Sequence, residues 1–263
     1  AFFCLAVSLL VAAPIARAAT SPPALQGSAV CLMDAATGQV LYEKNMDAKL
    51  RPASITKIMT VLLGVESGSW SDLVTMSHDA VFSVPRSTSH ISLQEGEQLT
   101  LEQLLMAAML PSANDAANGI AEFAAGSVSA FVDKMNARAA SIGAVDTHFV
   151  NANGLDEPEH YTTAYDMGLI TREAMQNAEF MRVFGTAEYV IPPTNMQGEA
   201  RNIGAGHKMM FHFTKYYDSG ILGGKSGYTD DAGHTLVTAV ERNGRRLIAV
   251  VLDEPSNRAM YED

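Results

Sequence analysis

The sequence predicts an α+β fold, in which strands from the two ends of the chain form one antiparallel sheet and a helical insert packs against it. Strand-like runs occur near both ends of the 263 residues, and the middle has the apolar spacing of amphipathic helices. With 48% apolar and 18% charged residues, the composition is that of a globular protein that can bury a core. A single sheet that joins the terminal strands, covered by the central helices, is the simplest arrangement of these elements.

Residues 1–18 are predicted to be a secretory signal peptide. Residues 2–13 are an uncharged apolar run, and Ala16-Arg17-Ala18 is a small-x-small cleavage pattern. The usual positively charged start is missing and residue 1 is not Met, so we expect a clipped N-terminal end and a mature protein that begins near Ala19. A buried N-terminal helix is the alternative. The signal peptide predicts an extracytoplasmic location.

The first two strands are predicted at residues 28–34 and 39–44. The four residues between them, Ala35-Ala36-Thr37-Gly38, are typical of a turn, so the two strands are expected to form a hairpin. Cys31 lies in the first strand and is the one cysteine beyond the predicted signal peptide. We therefore expect a buried, unreactive thiol and no disulfide.

Helices are predicted from residue 54 through the middle of the chain. Apolar residues repeat at helical spacing after Pro52, which predicts the first helix. Residues that favour helix caps predict three further helix starts, at Thr100, Ser127 and Thr163. Gly143 is expected to end the second of these three helices.

The last third of the chain returns to strands, at residues 223–229, 235–241 and 246–252. Asn243-Gly244 separates the last two, and this pair favours a tight hairpin because both residues tolerate positive φ. The chain ends at residue 263 without a turn or cap signal, so we expect the C-terminal end to be truncated too. One domain is predicted over residues 28–263.

A candidate nucleophile and base lie at the start of the first predicted helix, in Ser54-Ile55-Thr56-Lys57. Residues three apart share a helix face, which brings the hydroxyl and the amine together. The free N–H groups at a helix start favour a developing oxyanion. Lysine acts as a base only if burial or a nearby cation lowers its pKa. The pattern is common by chance, so a helix cap at Ser54 and a surface role for Lys57 are the alternative.

Two more motifs follow along the chain. Ser112 and Asn114 lie in Pro111-Ser112-Ala113-Asn114, a predicted turn between two helices, where capping is the alternative role. Lys225 lies in Gly223-Gly224-Lys225-Ser226-Gly227-Tyr228-Thr229, whose small residues let a substrate backbone approach a strand. A glycine-rich turn is the alternative there.

The three motifs in this order, S-x-x-K, S-x-N and K-[ST]-G, resemble those of the serine β-lactamase and penicillin-binding protein superfamily. The sequence around them resembles the D-alanyl-D-alanine carboxypeptidases, which are low-molecular-mass penicillin-binding proteins. The likeness includes residues 149–155, His160 and residues 163–167, and it extends from about residue 28 to the end. It implies a β-lactamase/transpeptidase-like catalytic domain and hydrolysis of peptidoglycan peptides in the periplasm or cell-wall space.

The resemblance also implies roles for the motif residues. Ser54 is the nucleophile that forms an acyl-enzyme and Lys57 is its base. Ser112 relays a proton toward the leaving D-alanine, and Asn114 orients Lys57 and the substrate amide. Further substrate-binding residues are implied in the third motif: Lys225 and Ser226 at the terminal carboxylate, Gly227, and Tyr228, whose backbone N–H completes an oxyanion hole with that of Ser54.

The implied partners are a pentapeptide ending in D-Ala-D-Ala and β-lactams as covalent inhibitors, without a cofactor or metal. A net charge of −11 argues against nucleic acid, and a membrane is expected only through a C-terminal anchor that is absent here. Two residues depart from the family pattern: Ser226, where Thr is more frequent, and Asn153, where His is more frequent.

Two alternatives share these motifs. A class A-type β-lactamase needs a glutamate that positions water, but the candidates Glu157 and Glu159 lack the usual E-x-x-L-N context, and Ala113 replaces the usual Asp. A wall-binding or sensor module on the same fold that acylates and stalls would keep all the catalytic residues, so the sequence leaves it open.

Overall fold

A computed structural model describes residues 24–263 of the chain, so the predicted signal peptide lies outside the described residues. The elements, in chain order, are β1 (Ala29–Asp34), β2 (Val40–Lys44), α1 (Lys57–Val65), β3 (Leu73–Thr75), α2 (His78–Phe82), β4 (Gln98–Thr100), α3 (Leu101–Met109), α4 (Asn114–Ala125), α5 (Val128–Ser141), α6 (Ala164–Ala174), α7 (Ala178–Phe184), β5 (Glu188–Ile191), β6 (Arg201–Gly204), β7 (Ile221–Thr229), β8 (Gly233–Arg242), β9 (Arg245–Glu254) and α8 (Ala259–Glu262).

The central sheet has five antiparallel strands in the order β2-β1-β9-β8-β7. The N-terminal strand β1 thus pairs with the C-terminal strand β9, and the predicted α+β arrangement with a helical insert is confirmed. Asn243 and Gly244 have φ of +51° and +74° and form the predicted hairpin between β8 and β9. Strand β7 is an edge strand, so one side of its backbone faces the helical insert rather than another strand.

One face of the sheet packs on the helical insert. A Cβ added to Gly168 of α6 would lie 3.1 Å from the Met33 side chain, so α6 and β1 are in close contact. Helix α1 packs against α6 and is buried almost all round, as expected of a helix in the centre of a domain. Fully burying a side chain such as Ile58 or Leu62 stabilises the fold by about 1.5–3 kcal/mol.

The predicted helix starts are where the cap signals indicate. The side chains of Thr100, Ser127 and Thr163 each accept a hydrogen bond from a backbone N–H in the first turn of α3, α5 and α6. Such caps are worth about 1 kcal/mol each. Cys31 is buried in β1, and burial raises the pKa of its thiol to about 11, as expected for an unreactive cysteine.

The helix predicted from residue 54 differs in one respect. Residues 53–56 form a 3₁₀ turn, and the α-helix begins only at Lys57. Ala53 has a φ of +49°, which is unusual for a residue with a side chain and marks strain beside Ser54. The two-stranded sheets β3–β4 and β5–β6 were not predicted, because strands of three or four residues give little periodicity. None of the helices among residues 24–263 has the length and apolar character needed to cross a membrane.

Candidate active site

The turn that carries Ser54 lies directly against the edge strand β7. A Cβ added to Gly227 would lie 2.7 Å from the Ser54 backbone nitrogen and 2.5 Å from Thr235 Oγ1. Only glycine therefore allows the strand and the turn to approach this closely. The contact places the first motif, in the turn 53–56 and α1, opposite the third motif on β7, and we call these two sides of one cleft the helical wall and the strand wall.

Lys57 is completely buried behind Ser54 and has three polar neighbours. Its Nζ lies 3.1 Å from Ser54 Oγ, 2.7 Å from Asn114 Oδ1 and 2.5 Å from the backbone oxygen of Asn153. Burial is the main cause that lowers the pKa of Lys57 well below its usual range, and the positive charge of Lys225 adds to it. The charge of Asp115 acts on this pKa in the opposite direction.

These three neighbours determine how a neutral Lys57 can bond. A neutral amine has two N–H donors and one lone pair, and the oxygens of Asn114 and Asn153 can only accept. If both donors are used there, the lone pair is left for the Ser54 hydroxyl, which then donates its proton to Nζ. The arrangement can therefore deprotonate Ser54 without a histidine or a carboxylate.

Ser112 is held in an unusual conformation in the same cleft. Its φ is +66°, and its Oγ is buried without a hydrogen-bond partner among residues 24–263. A buried hydroxyl that lacks a partner costs about 1–3 kcal/mol. Strain and an unmet hydrogen bond at one residue are typical of a group whose partner is a bound substrate.

Asn114 is the first residue of α4, and its side chain has a fixed orientation. The amide nitrogen donates to Thr88 Oγ1 at 3.1 Å, so the amide oxygen faces Lys57. The Asn114 backbone N–H donates to the Ser89 oxygen at 2.9 Å. Thr88 and Ser89 were not singled out in the sequence, because a Ser/Thr-rich loop carries no signal of what it supports.

The strand wall is built differently. Lys225 is buried, its Nζ donates to the Ser226 backbone oxygen at 2.7 Å, and burial lowers its pKa to about 7. Ser226 Oγ donates to the Gly206 oxygen at 3.3 Å. Tyr228 is exposed, and its hydroxyl donates to Asp230 at 2.9 Å. This wall presents a cation and a hydroxyl at the strand edge.

The cleft between the two walls has a volume of about 410 Å³. Of the predicted site residues, Lys57 and Asn114 lie behind Ser54, and the other six line the cleft: Ser54, Ser112, Lys225, Ser226, Gly227 and Tyr228. Glu157 and Glu159 are exposed and do not line it. The structure thus brings all three motifs together and leaves both glutamates outside.

The segment from residue 149 to 160 packs behind the turn that carries Ser54. Gly154 has a φ of +89°, and a Cβ there would lie 2.0 Å from the Ala53 oxygen, so only glycine fits. His160 Nε2 lies 2.9 Å from Thr56 Oγ1, and burial lowers the pKa of His160 to about 3. A neutral, buried histidine at this place holds the turn and adds no charge beside Lys57.

A sequence profile of the D-alanyl-D-alanine carboxypeptidases matches residues 16–256 of the chain. The chain belongs to this family. It is 36% identical to the D-alanyl-D-alanine carboxypeptidase DacF of Bacillus subtilis, in a match that covers 93% of the chain and 63% of DacF. It is 33% identical to the D-alanyl-D-alanine carboxypeptidase of Streptomyces sp. (strain K15), in a match that covers 98% of the chain and 91% of that protein. The chain thus spans less than two thirds of the length of DacF.

Solved structures of family members have the same fold. The D-alanyl-D-alanine carboxypeptidase of Mycobacterium tuberculosis H37Rv superposes with a TM-score of 0.82 at 29% identity, covering 92% of the chain and 88% of that structure. The Streptomyces K15 DD-transpeptidase gives a TM-score of 0.84 at 28% identity, covering 92% and 95%. The resemblance inferred from the three motifs is therefore confirmed at the level of family and fold.

Proposed function

We propose that this chain contains the catalytic domain of a serine-type D-Ala-D-Ala carboxypeptidase, which removes the terminal D-alanine from peptidoglycan stem peptides outside the cytoplasm. The observation that carries the proposal is the bonding of Lys57, which is buried, surrounded by neutral acceptors and 3.1 Å from Ser54 Oγ. Family membership supports the same activity.

The reaction begins with attack of Ser54 Oγ on the carbonyl carbon of the penultimate D-alanine. The Ser54 proton passes to Lys57 Nζ as the new C–O bond forms, and the backbone N–H groups of Ser54 and Tyr228 stabilise the oxyanion. The peptide C–N bond then breaks, and Ser112 passes its proton to the leaving amine of D-alanine while it takes up the proton held on Lys57 Nζ, so that both side chains return to their starting forms. Water attacks the resulting ester, which releases the shortened peptide and restores the Ser54 hydroxyl.

Lys225 supplies the preference for a free chain end. Its Nζ donates one hydrogen bond to the Ser226 backbone oxygen, which leaves two N–H donors of the ammonium group for a substrate. A substrate carboxylate at this wall would accept hydrogen bonds from the Lys225 ammonium group and the Ser226 hydroxyl. A β-lactam also carries a carboxylate beside a reactive carbonyl, so we expect it to acylate Ser54 in the same way.

The test is release of D-alanine from a pentapeptide that ends in D-Ala-D-Ala, with Ser54→Ala as the control. We expect release by the wild-type chain and none by the variant. Faster turnover of a β-lactam than of the peptide would favour the β-lactamase alternative. Acylation without either product would favour the sensor. Glycine is then added as an amine that can accept the acyl group from Ser54. A peptide product that contains glycine indicates transfer, the activity for which the K15 structure is named, and the free shortened peptide indicates hydrolysis.

A further inference from the structure

Two buried asparagines outside the three motifs bond to each other beside Lys57. The side-chain nitrogen of Asn153 donates to Asn118 Oδ1 at 3.2 Å, and Asn118 in turn donates to Ser83 Oγ at 3.1 Å. Asn153 Oδ1 accepts from the Leu155 backbone N–H at 3.0 Å. Both asparagines are about 95% buried. Each amide therefore uses its oxygen and its nitrogen within the protein.

This pair fixes the backbone carbonyl that contacts the base. The oxygen of Asn153 accepts from Lys57 Nζ at 2.5 Å, so any rotation of that peptide moves one of the two acceptors of Lys57. Asn151 adds a second restraint, since its Oδ1 accepts from the Gly154 backbone N–H at 2.7 Å. The direction of the Asn153 carbonyl is thus set by side-chain bonds on both sides of its peptide.

Helix α4 connects the pair to the other acceptor of Lys57. Asn114 and Asn118 are four residues apart, so they lie on the same face of the helix, one turn from each other. One helix face therefore orients both acceptors: Asn114 directly, and the Asn153 carbonyl through Asn118. Both amides are uncharged at every pH, which suits a lysine that must lose its proton. The charged groups that act on Lys57 are Lys225 on β7 and Asp115 on α4, and Lys57 itself acts on neutral His160.

We infer that Asn118 and Asn153 are positioning residues for acylation: together they aim the Asn153 carbonyl at Lys57 and so direct the lysine lone pair to Ser54. The inference rests on the proposed function, because it assigns these residues to the step in which Lys57 accepts the Ser54 proton. Neither residue touches the substrate in this mechanism, so the effect falls on the rate of acylation and not on binding.

The test compares Asn118→Leu with Asn136→Leu in the whole chain. Asn136 on α5 is a matched control, because its amide bonds to both backbone groups of Phe149 at 2.8 Å and makes no hydrogen bond to Lys57 or Asn153 within residues 24–263. The measurement is the rate constant for covalent attachment of a fluorescent penicillin to Ser54, as a function of penicillin concentration and pH. Asn118→Leu should lower the limiting rate about tenfold or more, with half-saturation within about threefold of the wild type.

Asn118→Asp has the same shape and keeps an acceptor for Asn153, so it serves if Asn118→Leu does not fold. A buried carboxylate raises the pKa of a nearby lysine, so the acid limb of the acylation rate should move to higher pH. Asn136→Leu should lower the melting temperature and leave both the rate and the pH profile unchanged.

Two results would overturn the inference alone: an Asn118→Leu rate equal to that of Asn136→Leu, or an acid limb unmoved in Asn118→Asp. A wild-type chain that penicillin does not acylate would overturn the proposed function, and the inference with it.

Discussion

The two walls of the cleft each contain a buried lysine, but the lysines have different surroundings. Lys57 on the helical wall has three neutral polar neighbours, all from the protein. Lys225 on the strand wall donates to a single backbone oxygen, that of the next residue. Burial lowers the pKa of both side chains, so the hydrogen-bond partners are what separate their roles.

The difference in hydrogen bonding affects which of the two lysines can act as a base and which can bind an anion. A lysine with the usual pKa near 10.4 is neutral about once in 2,500 molecules at pH 7, which makes it a poor base. Burial and the charge of Lys225 lower the pKa of Lys57, and its two carbonyl-type acceptors leave the lone pair for Ser54, so in the proposed function Lys57 acts as a base before substrate binds. Lys225, with a pKa of about 7, donates one hydrogen bond within the protein and, when it is protonated, has two further N–H donors for an anion. In the proposed function, the helical wall is therefore preorganised for proton transfer, and the strand wall obtains its remaining hydrogen-bond partners from the substrate.

The largest effect is expected from removing the proposed nucleophile, Ser54, or its proposed base, Lys57. Ser54→Ala should abolish covalent labelling by penicillin. Lys57→Met should lower it by about a thousandfold or more, because the serine hydroxyl alone is a weak nucleophile at neutral pH. The measurement is mass spectrometry of the labelled peptide together with circular dichroism to check the fold.

Lys49→Met is the control for Lys57→Met. Lys49 is an exposed lysine paired with Asp146 at 3.1 Å, so its loss should leave labelling unchanged. Labelling of a serine other than Ser54 in the wild-type chain would refute the assignment of the nucleophile. Full labelling of Lys57→Met would show that Lys57 is not the base, and the proposed difference in role between Lys57 and Lys225 would then be wrong.

Some features of the fold and of the site could be predicted from the sequence, and others could not. Local signals were sufficient for the caps at Thr100 and Ser127 and for the hairpin at Asn243-Gly244, because these depend on neighbouring residues. The order of the three motifs and the sequence around them were sufficient to predict the family. The second acceptor of Lys57 could not be predicted, since it is the backbone oxygen of Asn153 and every residue has such an oxygen. The positive φ of Ser112 likewise depends on the packing of the whole cleft.

The next effect in size concerns Lys225. Lys225→Ala should lower kcat/KM on a peptide with a free terminal carboxylate by roughly ten- to a hundredfold, because a charge-assisted hydrogen bond of about 1.5–3 kcal/mol is lost. Amidating that carboxylate should lower kcat/KM of the wild type but change kcat/KM of the variant little. Steady-state kinetics of the four combinations form a double-mutant cycle between enzyme and substrate. If the two losses simply added, Lys225 would not bind the carboxylate.

A smaller effect is expected in the pH dependence of kcat/KM, which reports groups of the free enzyme. Activity should rise with pH as Lys57 loses its proton. It should fall again above about pH 7, where Lys225 loses its own proton and with it the charge that binds the carboxylate. Lys225→Arg keeps a positive charge throughout this range, so the fall should move to much higher pH. A fall at the same pH in Lys225→Arg and the wild type would show that another group causes it.

The smallest effect is expected at Ser226, where the family more often has Thr. Ser226 Oγ donates to the Gly206 oxygen at 3.3 Å, and the side chain is half-buried, so a methyl group can be added without losing the hydroxyl. Branched residues also suit strands. Ser226→Thr should therefore change kcat/KM by less than about threefold, whereas Ser226→Ala should lose about three- to tenfold through a neutral hydrogen bond of about 0.5–1.5 kcal/mol. Both are measured with the free-acid peptide. A loss in Ser226→Thr as large as in Ser226→Ala would mean that the strand wall tolerates no added volume. The strand wall would then be as tightly built before substrate binds as the helical wall around Lys57.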